Sequence, residues 1–245
     1  MKLQFIGVGA AIKTTHHGAS AVVNGHILID TPPACNALLR RYALLVDTIF
    51  ITHLHGDHLG GLPFLLLEKY VDNNMKTLHI YGPDGLEEKI RLYFEAMFSE
   101  LDVVKYPIFD SVRFHVVEPE VEIELCGLSV KPVLGRHAIT SFGYVFRDDN
   151  VCVYFSGDTE LCEPVLEAID EAHCMVIEGT KKSGKLATHM TVEELLPIVR
   201  SYPEKMFYIT HRQDYDASDI SEHNLFFPEE GESCDVEHVK VNFHA

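Results

Sequence analysis

Apolar residues along this chain fall into two spacings. Residues 2–6, 19–23, 26–30, 48–52 and 78–81, and then 121–134, 141–146, 151–156, 175–178 and 206–210, form short apolar or alternating runs rich in Val, Ile, Phe and Tyr, as strands do. Residues 86–98, 163–171 and 192–201 carry apolar positions at helical spacing, and a further helix is expected to end at residue 70. Asn24-Gly25 separates two of the runs and predicts a tight hairpin, because both residues tolerate the positive φ that such a turn needs. Gly82-Pro83-Asp84-Gly85 stops another run. Strands alternating with helices in two similar halves predict an α/β chain, and periodicity alone leaves several α/β layouts open.

A chain of 245 residues, 47% of them apolar, can bury a sizeable core. No stretch rich in Pro, Gly and Ser reads as a linker, so a single domain over residues 1–245 is expected, with the acidic segment 228–232 as a surface loop. No apolar run reaches the roughly 18 residues of a membrane helix, and the N-terminus leads into a glycine loop instead of a signal-peptide cleavage site. A cytoplasmic protein with no membrane partner is expected. Cys35, Cys126, Cys152, Cys162, Cys174 and Cys234 show no CxxC spacing and read as reduced thiols, with Cys126, Cys152 and Cys174 in the core. A formal net charge of −17 argues against a large polyanion such as RNA, whose binding depends on Lys and Arg releasing phosphate counterions.

Fifteen histidines are a high count, and some of them are gathered. His53, His55, Asp57 and His58 lie within six residues at the end of a predicted strand. Neutral imidazole and carboxylate suit borderline divalent cations such as Zn²⁺, and a loop leaving a rigid strand holds such ligands in place. If the chain leaves its extended form here, His53 and His55 point to one cation while Asp57 and His58 turn to a second. Gly56 and Gly60-Gly61 supply the tight backbone that such a loop needs. The alternative is a chance cluster of histidines on a solvated loop.

Thr52-His53-Leu54-His55-Gly56-Asp57-His58 resembles the HxHxDH signature of the metallo-β-lactamase superfamily of hydrolases, and the resemblance extends along nearly the whole chain. It implies a four-layer αββα sandwich. It also implies that His137 in Gly135-Arg136-His137, Asp158 in Ser156-Gly157-Asp158-Thr159 and His211 in Ile209-Thr210-His211 complete the ligand set. By that resemblance His53, His55 and His137 hold one cation, Asp57, His58 and His211 hold the other, and Asp158 bridges. Two dications about 3.5–4 Å apart lower the pKa of a shared water and polarise the scissile group, and Asp57 can orient that water. Zn²⁺ is expected, with Mn²⁺ or Fe accepted by the same ligands.

Phe5-Ile6-Gly7-Val8-Gly9-Ala10-Ala11, His55-Gly56-Asp57-His58-Leu59-Gly60-Gly61-Leu62-Pro63, Gly82-Pro83-Asp84-Gly85 and Ser141-Phe142-Gly143-Tyr144 are similar to ribonuclease Z and its relatives. The implied chemistry is phosphodiester hydrolysis. The resemblance places His189 in His189-Met190-Thr191 and Glu178 in Ile177-Glu178-Gly179-Thr180 near the reacting phosphate, where His189 is expected to protonate the leaving oxygen or steady the charged transition state with Glu178 orienting it; a structural alternative has His189 capping the helix that begins near Thr191. Ribonuclease Z carries a long transfer-RNA-gripping arm between the positions of His137 and Asp158. Here only 21 residues (158 − 137) separate them, enough for a hairpin. Ile177 replaces the family's histidine before the glutamate, and Asp30-Thr31-Pro32-Pro33 replaces its acidic-glycine loop.

The expected substrate is therefore a small phosphodiester, a cyclic nucleotide or short oligonucleotide. The alternatives are ribonuclease Z-like RNA 3′-end cleavage, hydrolysis of a lactone, lactam or thioester, and a metal-containing nucleotide-binding protein without catalysis. Lys181, Lys182 and Lys185 are candidates to meet a substrate phosphate or to be simply solvated, and His16-His17 are expected to face solvent, the alternative being that they reach the mouth of the site from the first loop. His26, His79, His115, His173, His223, His238 and His244 match no ligand position. Phe64-Leu65-Leu66-Leu67 can serve a homodimer contact or the core equally.

Overall fold

The computed structural model describes residues 1–101, 107–125 and 127–237; Cys126, His238 and His244 lie outside them. The first half runs β1 (Lys2–Gly7), β2 (Ser20–Val23), β3 (Ile27–Ile29), α1 (Cys35–Arg41), β4 (Thr48–Phe50), α2 (Gly56–Leu59), α3 (Leu62–Val71), β5 (Leu78–Gly82), α4 (Leu86–Met97) and β6 (Val112–Val116). The second runs β7 (Ile123–Leu125), β8 (Leu128–Leu134), β9 (Phe142–Arg147), β10 (Cys152–Phe155), α5 (Glu163–Glu171), β11 (Cys174–Glu178), α6 (Val192–Ser201), β12 (Met206–Thr210), β13 (Leu225–Phe226) and β14 (Ser233–Asp235). Strands order as β14-β1-β2-β3-β4-β5-β6 in one sheet and β13-β12-β11-β10-β9-β8-β7 in the other.

Period-two patterning explains the layers. Phe50 faces the opposite sheet while Ile49 and Ile51 face α1, α3 and α4; Val153 and Phe155 face inward while Cys152 and Tyr154 pack under α5 and α6. Three apolar layers result, one between the sheets and one under each set of helices, which is the αββα sandwich expected from the motif. No helix among the described residues is long and apolar enough to cross a membrane.

Two contacts bind the sheets together at the end that carries the histidines. The Tyr144 hydroxyl donates to the carbonyl of Ile51 at 2.7 Å, and the Phe142 amide donates to the carbonyl of Thr52 at 2.9 Å. The chain leaving β4 is thus anchored on the second sheet before it turns into His53.

Several expectations need correction. The helix expected after the motif is α3, but a separate helical turn, α2, precedes it within the motif, and at Gly60-Gly61 between them the backbone packs against Pro32. A Cβ on Gly61 would lie 2.2 Å from the Pro32 carbonyl, whereas one on Gly56 would meet nothing, so only part of the glycine argument holds. Segment 228–232 is not a loose surface loop: Phe5 and Gly231 or Glu232 exchange backbone hydrogen bonds at 2.7–2.9 Å, and Pro228 is buried. Of the 64–67 run, Leu66 is core and Phe64 is exposed.

Candidate metal centre

Every residue of the motif set follows the C-terminal end of a strand. His53 and His55 lie in the turn leaving β4, Asp57 and His58 on the single turn of α2, His137 after β8, Asp158 after β10 and His211 after β12. The Asp158 turn requires Gly157, whose φ is +57° and where a Cβ would sit 2.7 Å from the Phe142 carbonyl and 2.9 Å from Thr52. His211 itself has φ +49°, a conformation that costs a non-glycine residue of order 1–3 kcal/mol and persists where surroundings enforce it. The neighbouring Arg212 does so here, its backbone exchanging hydrogen bonds of 3.0 Å with Val8 and Ala10.

These turns bring the seven side chains into two adjoining groups, His53, His55, His137 and Asp158 in one and Asp57, His58, Asp158 and His211 in the other. Asp158 belongs to both. Its Oδ2 lies 3.6 Å from His53 Nε2 and 3.4 Å from His211 Nε2, while its Oδ1 lies 3.4 Å from His58 Nε2. Asp57 Oδ2 lies 3.4 Å from the Nε2 atoms of both His58 and His211.

Hydrogen-bond partners outside the cluster fix the imidazole tautomers. His137 Nδ1 donates to the Thr188 carbonyl at 2.8 Å, and His58 Nδ1 donates to Asp30 Oδ2 at 2.7 Å. The Thr52 hydroxyl gives its one proton to Asp30 at 2.9 Å, so His53 Nδ1, 3.0 Å away, is the donor to Thr52. In the same way the Thr180 hydroxyl donates to Glu178 at 2.7 Å, and His211 Nδ1 donates to it at 2.9 Å. Four imidazoles thus have Nδ1 engaged outside the cluster and turn Nε2 inward, where it can serve as a ligand when the ring is neutral. His53 Nε2 and His137 Nε2 stand 3.0 and 3.2 Å from His55 Nδ1, so three ring nitrogens converge where His55 has at most one proton to share with the other two. His58 Nε2 and Asp158 Oδ1 are buried without a hydrogen-bond partner. Both observations fit residues that hold divalent cations.

The electrostatics differ between the rings: burial opposes charge on His58, yet the Asp158 and Asp30 carboxylates outweigh it and raise its pKa, so a cation binding there would take the place of a proton. Burial and the neighbouring imidazoles depress the His53 pKa strongly, keeping it neutral. Burial opposes ionisation of Asp158, yet His211, His58 and His53 around it hold its carboxyl well below the usual range.

Glu178 and His189 adjoin the cluster. His189 Nδ1 lies 3.2 Å from both Glu178 carboxylate oxygens, and its ring stacks on His211 at 5.4 Å between centroids. Glu178 also accepts from the Thr159 amide at 2.6 Å, the Thr180 hydroxyl at 2.7 Å and the Met190 amide at 3.1 Å. Burial and the Asp158 charge raise the Glu178 pKa; the donors from Thr159, Thr180 and Met190 oppose this by favouring the carboxylate, so the shared proton is assigned to His189. Burial works to lower the His189 pKa, and the Glu178 hydrogen bond and charge, with Asp158 behind it, outweigh burial and raise it. Glu178, His189 and His211 are close enough to form a third cation site, but these hydrogen bonds already satisfy them. His189 does not cap α6; Thr191 does, in a reciprocal capping box with Glu194.

Other candidates make their contacts outside the cluster. Lys182 pairs with Asp219 at 2.5 Å and Lys185 is exposed. His16 and His17 do not simply face solvent: both are half-buried, and His17 Nδ1 lies 2.8 Å from Glu230. His79 and His115 stack on each other, and His173 accepts from the Cys152 amide at 3.0 Å. Asp30, Thr52, Thr180 and Thr188 orient the cluster and were not singled out from the sequence. The one local signal was the acidic residue ending the second strand of the hairpin, in Asp30-Thr31-Pro32-Pro33.

Comparison with known proteins gives concordant relatives. A family model described as Anti-Pycsar protein Apyc1 matches residues 1–233. A ribonuclease Z of Methanococcus maripaludis is 26% identical over 272 residues, covering 86% of each chain. Human tRNase Z, short form, superposes with a TM-score of 0.76 at 22% identity, over 96% of this chain and 99% of that one. A diphosphatase of the PhnP family superposes at 0.77 with 18% identity, over 97% of each. The last two likenesses establish the metallo-β-lactamase fold.

Proposed function

The chain belongs to the Anti-Pycsar protein Apyc1 family, and we propose that it is a single-domain, metal-dependent phosphodiesterase acting on a small phosphodiester such as a cyclic nucleotide. The observation that carries this reading is the convergence of the imidazole nitrogens and carboxylates in two groups sharing Asp158, beside the Glu178–His189 pair. His53, His55 and His137 would hold one cation, Asp57, His58 and His211 a second, and Asp158 both; Zn²⁺ suits these ligands best. Bound there, two cations would supply Lewis acidity and an acidified water.

The chain's own residues supply the rest. Asp57 accepts a hydrogen bond from the attacking water and orients it. His189, held by Glu178 at Nδ1, presents Nε2 to the leaving oxygen and donates its proton as the P–O bond breaks. The nearby carboxylate of Glu178 then favours reprotonation of His189. A homodimer in the cytoplasm is part of the same proposal.

Cleavage of RNA 3′ ends is a second reading, favoured by the relative named ribonuclease Z. The net charge of −17 weighs against it, as does the segment from His137 to Asp158, which is occupied by the β9-β10 hairpin. A substrate panel separates the readings. Turnover of bis(p-nitrophenyl) phosphate and cyclic nucleotides, with none of nitrocefin or acyl lactones, supports the proposal; robust acyl cleavage without phosphodiester turnover overturns it. Cleavage of a 3′-extended RNA in preference to cyclic nucleotides would favour the second reading.

A further inference from the structure

Three loops meet at one carboxylate that belongs to neither candidate cation site. Glu160 lies two residues beyond Asp158, and its Oε1 accepts the amide proton of Thr188 at 2.8 Å. Its backbone is fixed independently: the Glu160 amide donates to the Arg136 carbonyl at 2.9 Å, and the Thr159 hydroxyl, which donates to the Glu160 carbonyl, accepts from the Arg136 amide at 2.8 Å. The carboxylate thus projects from the seam between the loops bearing His137 and Asp158 onto the loop that ends in His189.

Thr188 is the residue it grips, and Thr188 is strained. Its φ is +66°, a conformation a β-branched residue adopts only when its surroundings impose it. That backbone turn has two consequences. The Thr188 carbonyl faces His137 Nδ1 at 2.8 Å, which sets the His137 tautomer, and the next residue, His189, falls onto Glu178 at 3.2 Å. Farther along the same loop, the Gly184 amide is tied to Glu193 at 3.1 Å and Lys182 to Asp219 at 2.5 Å, so the loop has other tethers that do not touch the Thr188 turn.

We propose that Glu160 is a positioning residue that, through the Thr188 turn, orients both the cation ligand His137 and the proton donor His189. It touches neither substrate nor cation; its carboxylate oxygen serves as a hydrogen-bond acceptor, not as a charge. The inference rests on the metal-dependent reading above, but half of its test is independent of what the enzyme cleaves. Outer partners of metal-bound histidines typically change metal affinity about 10- to 100-fold when removed, and the loss expected here lies in that range.

The experiment compares wild type with Glu160→Ala, Glu160→Gln and Glu193→Ala. Zn²⁺ retention is read by competition with a chromophoric chelator, and kcat and KM are measured on bis(p-nitrophenyl) phosphate. Glu160→Ala is expected to release Zn²⁺ about 10- to 100-fold more readily and to lower kcat with KM little changed. Glu160→Gln, which keeps an acceptor oxygen, and Glu193→Ala, which cuts a remote tether of the same loop, are expected to behave as wild type. Wild-type Zn²⁺ retention and kcat in Glu160→Ala would overturn the proposal. So would equal damage from Glu160→Gln, or equal damage from Glu193→Ala. If Glu160→Ala does not fold, Glu160→Asp, one methylene too short to reach the Thr188 amide, tests the same contact: weaker retention is expected, and wild-type retention overturns it. Absence of phosphodiester turnover in every loaded protein would count against the proposed function, while the chelator arm would still decide the role of Glu160.

Discussion

Asp30 illustrates how much of this centre depends on residues outside it. The carboxylate is buried at the end of β3 with φ +57°, and it accepts from the Thr52 amide at 2.7 Å, the Thr52 hydroxyl and His58 Nδ1. One side chain thereby fixes the tautomer of His58 directly and that of His53 through Thr52. Asp30→Asn is expected to weaken Zn²⁺ binding about 10- to 100-fold in chelator competition, since an amide can present its NH₂ to His58 and invert the hydrogen bond; unaltered affinity would contradict this. His189→Gln should separate binding from chemistry. It should lower kcat on a phosphodiester by roughly 100- to 10,000-fold with metal content preserved, the range for loss of a general acid. Loss of metal along with activity would instead make His189 a ligand. At this scale the sequence showed which donors lie near one another along the chain, and the Ser-Gly-Asp-Thr and Ile-Thr-His turns marked the distant ones by resemblance. It did not show Asp30, whose meaning lies in contacts 22 and 28 residues away, nor Thr180, which looks like any threonine until His211 reaches it.

Among the elements, the turn after β10 carries the strictest backbone requirement. Gly157 must hold a left-handed φ while passing within van der Waals contact of Phe142 and Thr52. Gly157→Ala is expected to cost at least about 1–2 kcal/mol from φ alone, with the contacts adding to it. Equilibrium denaturation measures this, and a wild-type midpoint would show that the turn can relax. Strands buried on both faces, such as β10 and β11, were legible because four or five consecutive apolar residues admit little else. α1 was not, since it lacks a capping side chain and begins after Ala34 at φ +70°. β13 and β14, with two and three residues, exist only by pairing at the sheet edges with β12 and β1. β6 alternates well enough to be read, but its alternation of Val, Arg, Phe and His carries a weaker apolar signal than its neighbours do.

For the molecule as a whole, each sheet is a scaffold that delivers loops to one end, and the cluster needs both. His53, His55, Asp57 and His58 come from the first sheet and His137, Asp158, Glu178 and His211 from the second, so the centre joins the two halves of the chain. The acidic balance of the chain favours a small substrate over a polyanion, because the positive charge would be concentrated in the cations themselves. The central claim is that this joint centre is a two-cation phosphodiesterase. Its most direct test is to strip the protein with a chelator, titrate Zn²⁺ back and follow cyclic-nucleotide hydrolysis against metal bound. The account predicts no turnover without metal and full recovery as two Zn²⁺ bind per chain. Recovery of nucleotide binding without any hydrolysis at full metal occupancy, or hydrolysis that persists in the stripped protein, would contradict it.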